Sequence, residues 1–108
     1  MTKKNKSLEV LALMFPGVLI SNGKNFDVDF EGFRNLKLKE KEYLSDQHFF
    51  IMHAVTQDGF FLEYASDRLK DKWVIVNRAM MKMNGYDPKL MQFASSRVRN
   101  IILPRPSG

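Results

Sequence analysis

Three stretches place two cations around one apolar residue: Lys37-Leu38-Lys39, Arg68-Leu69-Lys70 and Arg97-Val98-Arg99. If Leu38, Leu69 and Val98 point inward, their flanking cations turn to water. Stacking would then align Lys37/Lys39, Arg68/Lys70 and Arg97/Arg99 as a ladder along one edge. Such a ladder suits an acidic protein segment, a phosphorylated tail, a nucleic-acid backbone or anionic lipid. The plainer reading is a solvated rim of lysines and arginines. Few exposed aromatics are expected beside it, which favours backbone attraction over base stacking. Four methionines, Met80, Met81, Met83 and Met91, cluster in the same half of the chain. Met81 and Met83 are expected at the surface, where soft unbranched side chains line adaptable grooves, and Met80 and Met91 in the core.

Other chemistry has weaker footing. His48 and His53 are the only histidines. Five residues turn a helix by about 500°, so the two point roughly 140° apart and do not form an i, i+4 metal pair. Structural roles are expected for both. Asp27, Asp29, Glu31 and Gly32 imitate the front of a calcium loop, but Leu38 stands where a bidentate glutamate is needed. No Gly-x-Ser-x-Gly elbow, phosphate-binding loop or dinucleotide fingerprint occurs. A small helical stack also offers no deep cleft for retuning an acid–base pair. The expectation is a protein without catalytic residues, metal or cofactor.

Composition sets the outer bounds. A chain of 108 residues allows one domain, and 44% hydrophobic with 27% charged residues is ordinary for a globular protein. Cysteine is absent, which excludes disulfides and thiolate metal sites. The formal net charge is +5 and the pI about 9.6, favouring acidic or phosphate-bearing partners.

The elements that must position these residues recur. Asp46, Phe49, Phe50, Ile51 and Ala54 match Asp71, Val74, Ile75, Val76 and Ala79, and each run reaches a glycine pair, Asp58-Gly59 or Asn84-Gly85. After each glycine, Leu62-Glu63-Tyr64-Ala65-Ser66 matches Met91-Gln92-Phe93-Ala94-Ser95, and Arg68-Leu69-Lys70 matches Arg97-Val98-Arg99. A helix is expected after Asp46 and after Asp71, each aspartate capping its amides. Phe49, Phe50 and Ala54, like Val74, Ile75 and Ala79, would form the inner face. Gly59 and Gly85 would end these helices at positive φ. Shorter helices from Phe61 to Ala65 and from Lys89 to Ala94 then pack back, with Pro88 in the first turn of the second. The chain thus reads as all-α, a short solenoid-like stack of helical hairpins whose neighbours bury each other's apolar faces. Its units are a degenerate one over 7–45, repeats over 46–70 and 71–100, and a proline-containing tail over 101–108.

Two segments stand apart. Phe26, Val28 and Phe30 alternate with Asp27, Asp29 and Glu31. This is a period of two, read as an extended segment over 24–33 that lays its aromatics on the helices because no partner strand is evident. At the front, Lys3, Lys4 and Lys6 precede an apolar stretch from Leu8 to Ile20. Glu9 and Pro16-Gly17 interrupt it and favour a core helix over a secretory signal. The stretch is also shorter than the roughly 20 residues of a membrane span.

The block from Leu62 to Asp71, preceded by a helix ending in Asp-Gly, resembles the repeats of domain-of-unknown-function family forty-one-sixteen. The resemblance covers about residues 45–100. It implies a helical repeat of the kind carried by multidomain proteins of protists and by secreted effectors of intracellular bacteria, with no established activity. Tyr86-Asp87-Pro88 lengthens the second loop, and Asn100 stands where an aspartate would open another repeat. The expected function is a non-catalytic protein-interaction module, cytoplasmic or delivered into a host cytoplasm, with a partner bearing an acidic surface. Nucleic-acid or anionic-lipid binding by the basic ladder is the alternative, and a small enzyme a second one.

Overall fold

Apolar periodicity and good caps make most of this chain helical, and the computed structural model describes residues 6–102. Ser7 caps α1 (Leu8–Met14), its Oγ accepting from the Val10 amide, and Leu11 from this helix is fully buried. After the Pro16-Gly17 turn come two short strands, β1 (Leu19–Ser21) and β2 (Phe26–Val28). Asp29 then caps α2 (Phe30–Arg34), its Oδ1 accepting from the Gly32 amide at 3.1 Å. The chain continues through α3 (Leu38–Ser45), α4 (His48–Gln57), a 3₁₀ helix (Gly59–Tyr64) and α5 (Asp67–Lys70). It finishes with α6 (Trp73–Lys82), α7 (Pro88–Met91) and α8 (Ser96–Ile102). The Lys3/Lys4 cluster and residues 103–108 lie outside the described residues.

The segment over 24–33 is neither unpartnered nor wholly extended. β1 and β2 pair antiparallel with Leu19 opposite Val28, Ile20 opposite Asp27 and Ser21 opposite Phe26. The partner strand was hidden in the apolar stretch from Leu8 to Ile20, which Pro16-Gly17 divides into a helix and a strand. Asn22 makes the turn: its amide donates to the Asn25 carbonyl and its Oδ1 accepts from the Asn25 amide. The Gln57 side chain holds this hairpin to α4 as a third strand would. Its Oε1 accepts from the Val28 amide and its Nε2 donates to the Phe26 carbonyl, both at 2.9 Å. The aromatics of this region do pack on the helices, but through α2. Phe33 is buried with its ring 4.9 Å from Phe61, 5.6 Å from Tyr64 and 6.0 Å from Phe50.

The long helices α4 and α6 lie side by side and supply the rest of the core through Phe50, Ile51, Ala54 and Val55 on one and Ile75, Val76 and Ala79 on the other. The inner face is therefore rotated from the expected one, for Phe49 and Val74 are 49% and 43% exposed. Two glycines fit this geometry for different reasons. Gly59 is not at positive φ. A Cβ there would lie 2.7 Å from the Ala79 carbonyl oxygen and 2.8 Å from Met83 Cγ, so its role is close approach of the 3₁₀ helix to α6. Gly85 does have positive φ, but follows Asn84, which itself holds φ 65° after α6. The Asn84 and Gly85 amides return to the Met81 and Met80 carbonyls, the pairing of a Schellman motif.

Candidate functional site

Asp46 and Asp71 do not cap the helices that follow them. Gln47 and Lys72 occupy the N-cap positions of α4 and α6, while Asp46 and Asp71 end α3 and α5. Their carboxylates serve more distant partners. Ser66 Oγ donates to Asp46 Oδ1 at 2.7 Å, Arg68 Nε donates to the same oxygen at 2.9 Å, and Arg68 Nη2 donates to the Asp46 carbonyl at 2.7 Å. Ser95 Oγ donates to Asp71 Oδ1 at 2.6 Å, Arg97 Nε to that oxygen at 3.0 Å, and Arg97 Nη2 to the Asp71 carbonyl at 2.6 Å. The Ser66 amide donates to the Ser45 carbonyl and the Ser95 amide to the Lys70 carbonyl. Each serine also caps its own short helix, accepting from Leu69 or Val98. The two matched stretches therefore build the same clasp. Hydrogen bonds from Arg97 and Ser95 hold the Asp71 carboxyl below its ordinary range, and the same pairing raises the Arg97 guanidinium.

These clasps alter the expected basic ladder. Leu69 and Val98 are fully buried as expected, but Leu38 is 71% exposed at the start of α3. Lys37 and Lys39 therefore do not flank an inward residue. The helix start explains it: Lys37 occupies the N-cap and its amide donates to Glu40 Oε1 at 3.0 Å, so Leu38 falls on the outer side of the first turn. Arg68 and Arg97 are engaged by aspartates within the chain. Lys70 and Arg99 are half-buried. Met81 reaches the surface at 64% exposure, whereas Met83 is half-buried against the core, its side chain lying over Gly59.

The surface that sequence reading missed is the outward side of α4 and α6. Neither helix contains Asp or Glu, and their only formal charges are Arg78 and Lys82. Phe49, Met52, His53 and Thr56 from α4 and Arg78 from α6 line one depression of about 310 Å³, which Leu8 and Asn25 complete. Phe49 also borders a second depression running to Lys24 and Glu9. The signal was present as apolar runs, Phe49-Phe50-Ile51 and Val74-Ile75-Val76: three consecutive helix residues span about 200°, so one of them turns away from the core. At the inner end, His53 Nε2 contacts the Phe26 carbonyl and lies 3.0 Å from Gln57 Nε2. His48 is shifted below its ordinary value by burial, then by the charges of Lys72 and Arg68.

The carboxylates of the calcium-like stretch are used separately. Asp27 accepts from Asn22, Asp29 caps α2 and Glu31 pairs with Arg34. Among the described residues, no group of three or more His, Cys, Asp or Glu is placed to hold a metal ion, and no helix is long and apolar enough to cross a membrane.

A mostly helical chain with one small β-hairpin, carrying the same clasp twice, is the class that fold and surface define. Residues 50–99, within the stretch from α4 to α8, match the family described as domain of unknown function (DUF4116). Neither a curated protein nor a solved structure gives a significant match to this chain.

Proposed function

We propose that this chain is a non-catalytic protein-interaction module, built as a short stack of helical hairpins, that presents the outward faces of α4 and α6 to an acidic, partly apolar segment of a partner protein. The observation that carries this reading is the makeup of that face. Phe49, Trp73, Val74 and Met81 are exposed on two adjacent helices that hold no acidic residue. Large apolar side chains exposed on neighbouring helices are characteristic of contact sites, and Arg78, which lines the depression with Phe49, supplies the matching charge for carboxylates. The clasp supports the stack, since it ties the start of each hairpin to its end without using this face, while the Ser95 amide joins the second to the first at the Lys70 carbonyl. Placement within a larger effector-like protein is the corresponding proposal for the parent chain.

The test is site-specific photocrosslinking in a cell extract, with the photoreactive residue at Val74 or, as a control, at Glu42 on α3. One protein recovered reproducibly from position 74, and lost when F49S and M81S are added, is the expected result. Equal recovery from both positions, or none from position 74, overturns the proposal.

Polyanion binding by the basic residues is the second reading, favoured by the net charge of +5. It draws less support from the ladder, two of whose six cations are held by Asp46 and Asp71. It requires binding to duplex RNA or anionic vesicles that falls steeply between about 50 and 200 mM salt.

A further inference from the structure

The two matched units differ in one systematic way at the end of each. In the first, Glu63, Asp67, Lys70 and Asp71 occupy the positions held in the second by Gln92, Ser96, Arg99 and Asn100. Every carboxylate of the first set is a neutral amide or hydroxyl in the second, and the lysine is an arginine. The first set receives a cation: Asp71 takes the Arg97 guanidinium, and Ser95 and its neighbours line the depression beside Lys70. The second set cannot do the same, because Asn100 brings no charge to an incoming arginine.

The second set instead lines a depression of about 420 Å³, whose other walls include Tyr86 and Met91. Tyr86 belongs to the lengthened loop after Gly85 and has no counterpart in the first unit. Arg99 is half-buried there, and its Nη2 donates to Ser96 Oγ at 3.2 Å, whereas Arg68 and Arg97 pair with carboxylates. Gln92, Ser96, Arg99 and Asn100 all carry hydrogen-bond donors, and among the described residues no carboxylate lines the depression. Its volume matches a small organic ligand or one large side chain.

We infer that this depression is an oxyanion site, in which Arg99 with Ser96 and Asn100 binds a carboxylate or phosphate group whose flat apolar body rests against Tyr86 and Met91. The planar guanidinium suits both anions, because it offers paired donors to two oxygens at once. The site does not depend on the α4/α6 face. It would stand if crosslinking from Val74 failed, and would fail without affecting that result.

The experiment is a ¹H–¹⁵N NMR titration of the full chain with inorganic phosphate, phenyl phosphate, benzoate and, as a neutral control, benzamide. The expected result is saturable shifts confined to Tyr86, Gln92, Ser96, Arg99 and Asn100 with phenyl phosphate, benzoate or both, and none with benzamide. Preference between the two anions tells which source the site takes. R99Q and N100D should each weaken binding by about tenfold or more, as removal of a charge-assisted pair or restoration of a repelling carboxylate requires. Their own spectra report whether they fold. Shifts spread over Lys24, Lys37 and the other exposed cations, no shifts at all, or equal affinity in R99Q would each overturn the assignment.

Discussion

Arg97 holds Asp71 from both ends of the residue: its Nη2 donates to the backbone carbonyl at 2.6 Å and to Oδ2 at 3.0 Å, while Nε donates to Oδ1. The guanidinium thus secures the close of α5 to the opening of α8 across 26 residues of sequence. Arg68 does the same for Asp46 at the junction of α3 and α4. An aspartate at a helix junction would ordinarily serve its local amides. Here it serves the far end of its own stretch, so the clasp reports which segments lie against each other.

The Asp71 carboxyl should titrate below the ordinary aspartate range, and R97Q should return it upward. A carboxyl depressed by folding contributes stability that is complete above its unfolded pKa and is lost as pH falls through the folded one. The R97Q variant should therefore be less stable than the parent near neutral pH and approach it in strong acid. Carbon-detected NMR titration and urea melts at several pH values measure both effects.

Ser66→Ala removes a helix cap and a donor to Asp46 together. A loss of about 1–2 kcal/mol in urea unfolding is expected, with unchanged slope. Ser95→Ala should give a similar loss if the two clasps are equivalent.

Gly59→Ala should destabilise by about 1–3 kcal/mol through overpacking. Adding M83A should recover little, because the Ala79 carbonyl oxygen would still lie 2.7 Å from the new Cβ. Recovery to parental stability would assign the conflict to the methionine alone. Thermal melts of the single and double variants decide.

The rotated inner face predicts a sharp contrast within one helix turn. Phe50→Ala should cost about 3–5 kcal/mol, as for other buried aromatics, while Phe49→Ala should remain within about 1 kcal/mol. Equal costs would mean that Phe49 is a core residue.

His48 should titrate below its ordinary value, chiefly from burial and secondarily from Lys72 and Arg68. Folding disfavours its charged form, so its contribution is complete above the unfolded histidine pKa and is lost as pH falls through the lower folded one. K72Q should move the titration upward only in part. The histidine ring resonances followed from pH 4 to 8 provide the measurement.

Much of the helical layout was legible in the residues. Helices followed Asp46 and Asp71, Pro88 opened α7, and buried Leu69 and Val98 sat between their cations as expected. These features follow from short-range rules, since a helix period, a proline at N1 and a basic–apolar–basic alternation are each settled within a few residues. The surface was less legible. Of the expected ladder, Arg68 and Arg97 turned to partners more than twenty residues away, and Leu38 turned outward with a different helix start.

On its own, the sequence determined a mainly helical chain, the matched residues between Asp46 and Arg99 and the likeness of residues 50–99 to a family of unknown function. Tertiary structure alone decided which of Phe49 and Phe50 entered the core, how Asp46 and Asp71 spent their charge, and that Leu19–Ser21 found a partner in Phe26–Val28. The reason is physical: a residue's conformation is biased by its neighbours in sequence, but the side on which it is buried depends on what packs against it.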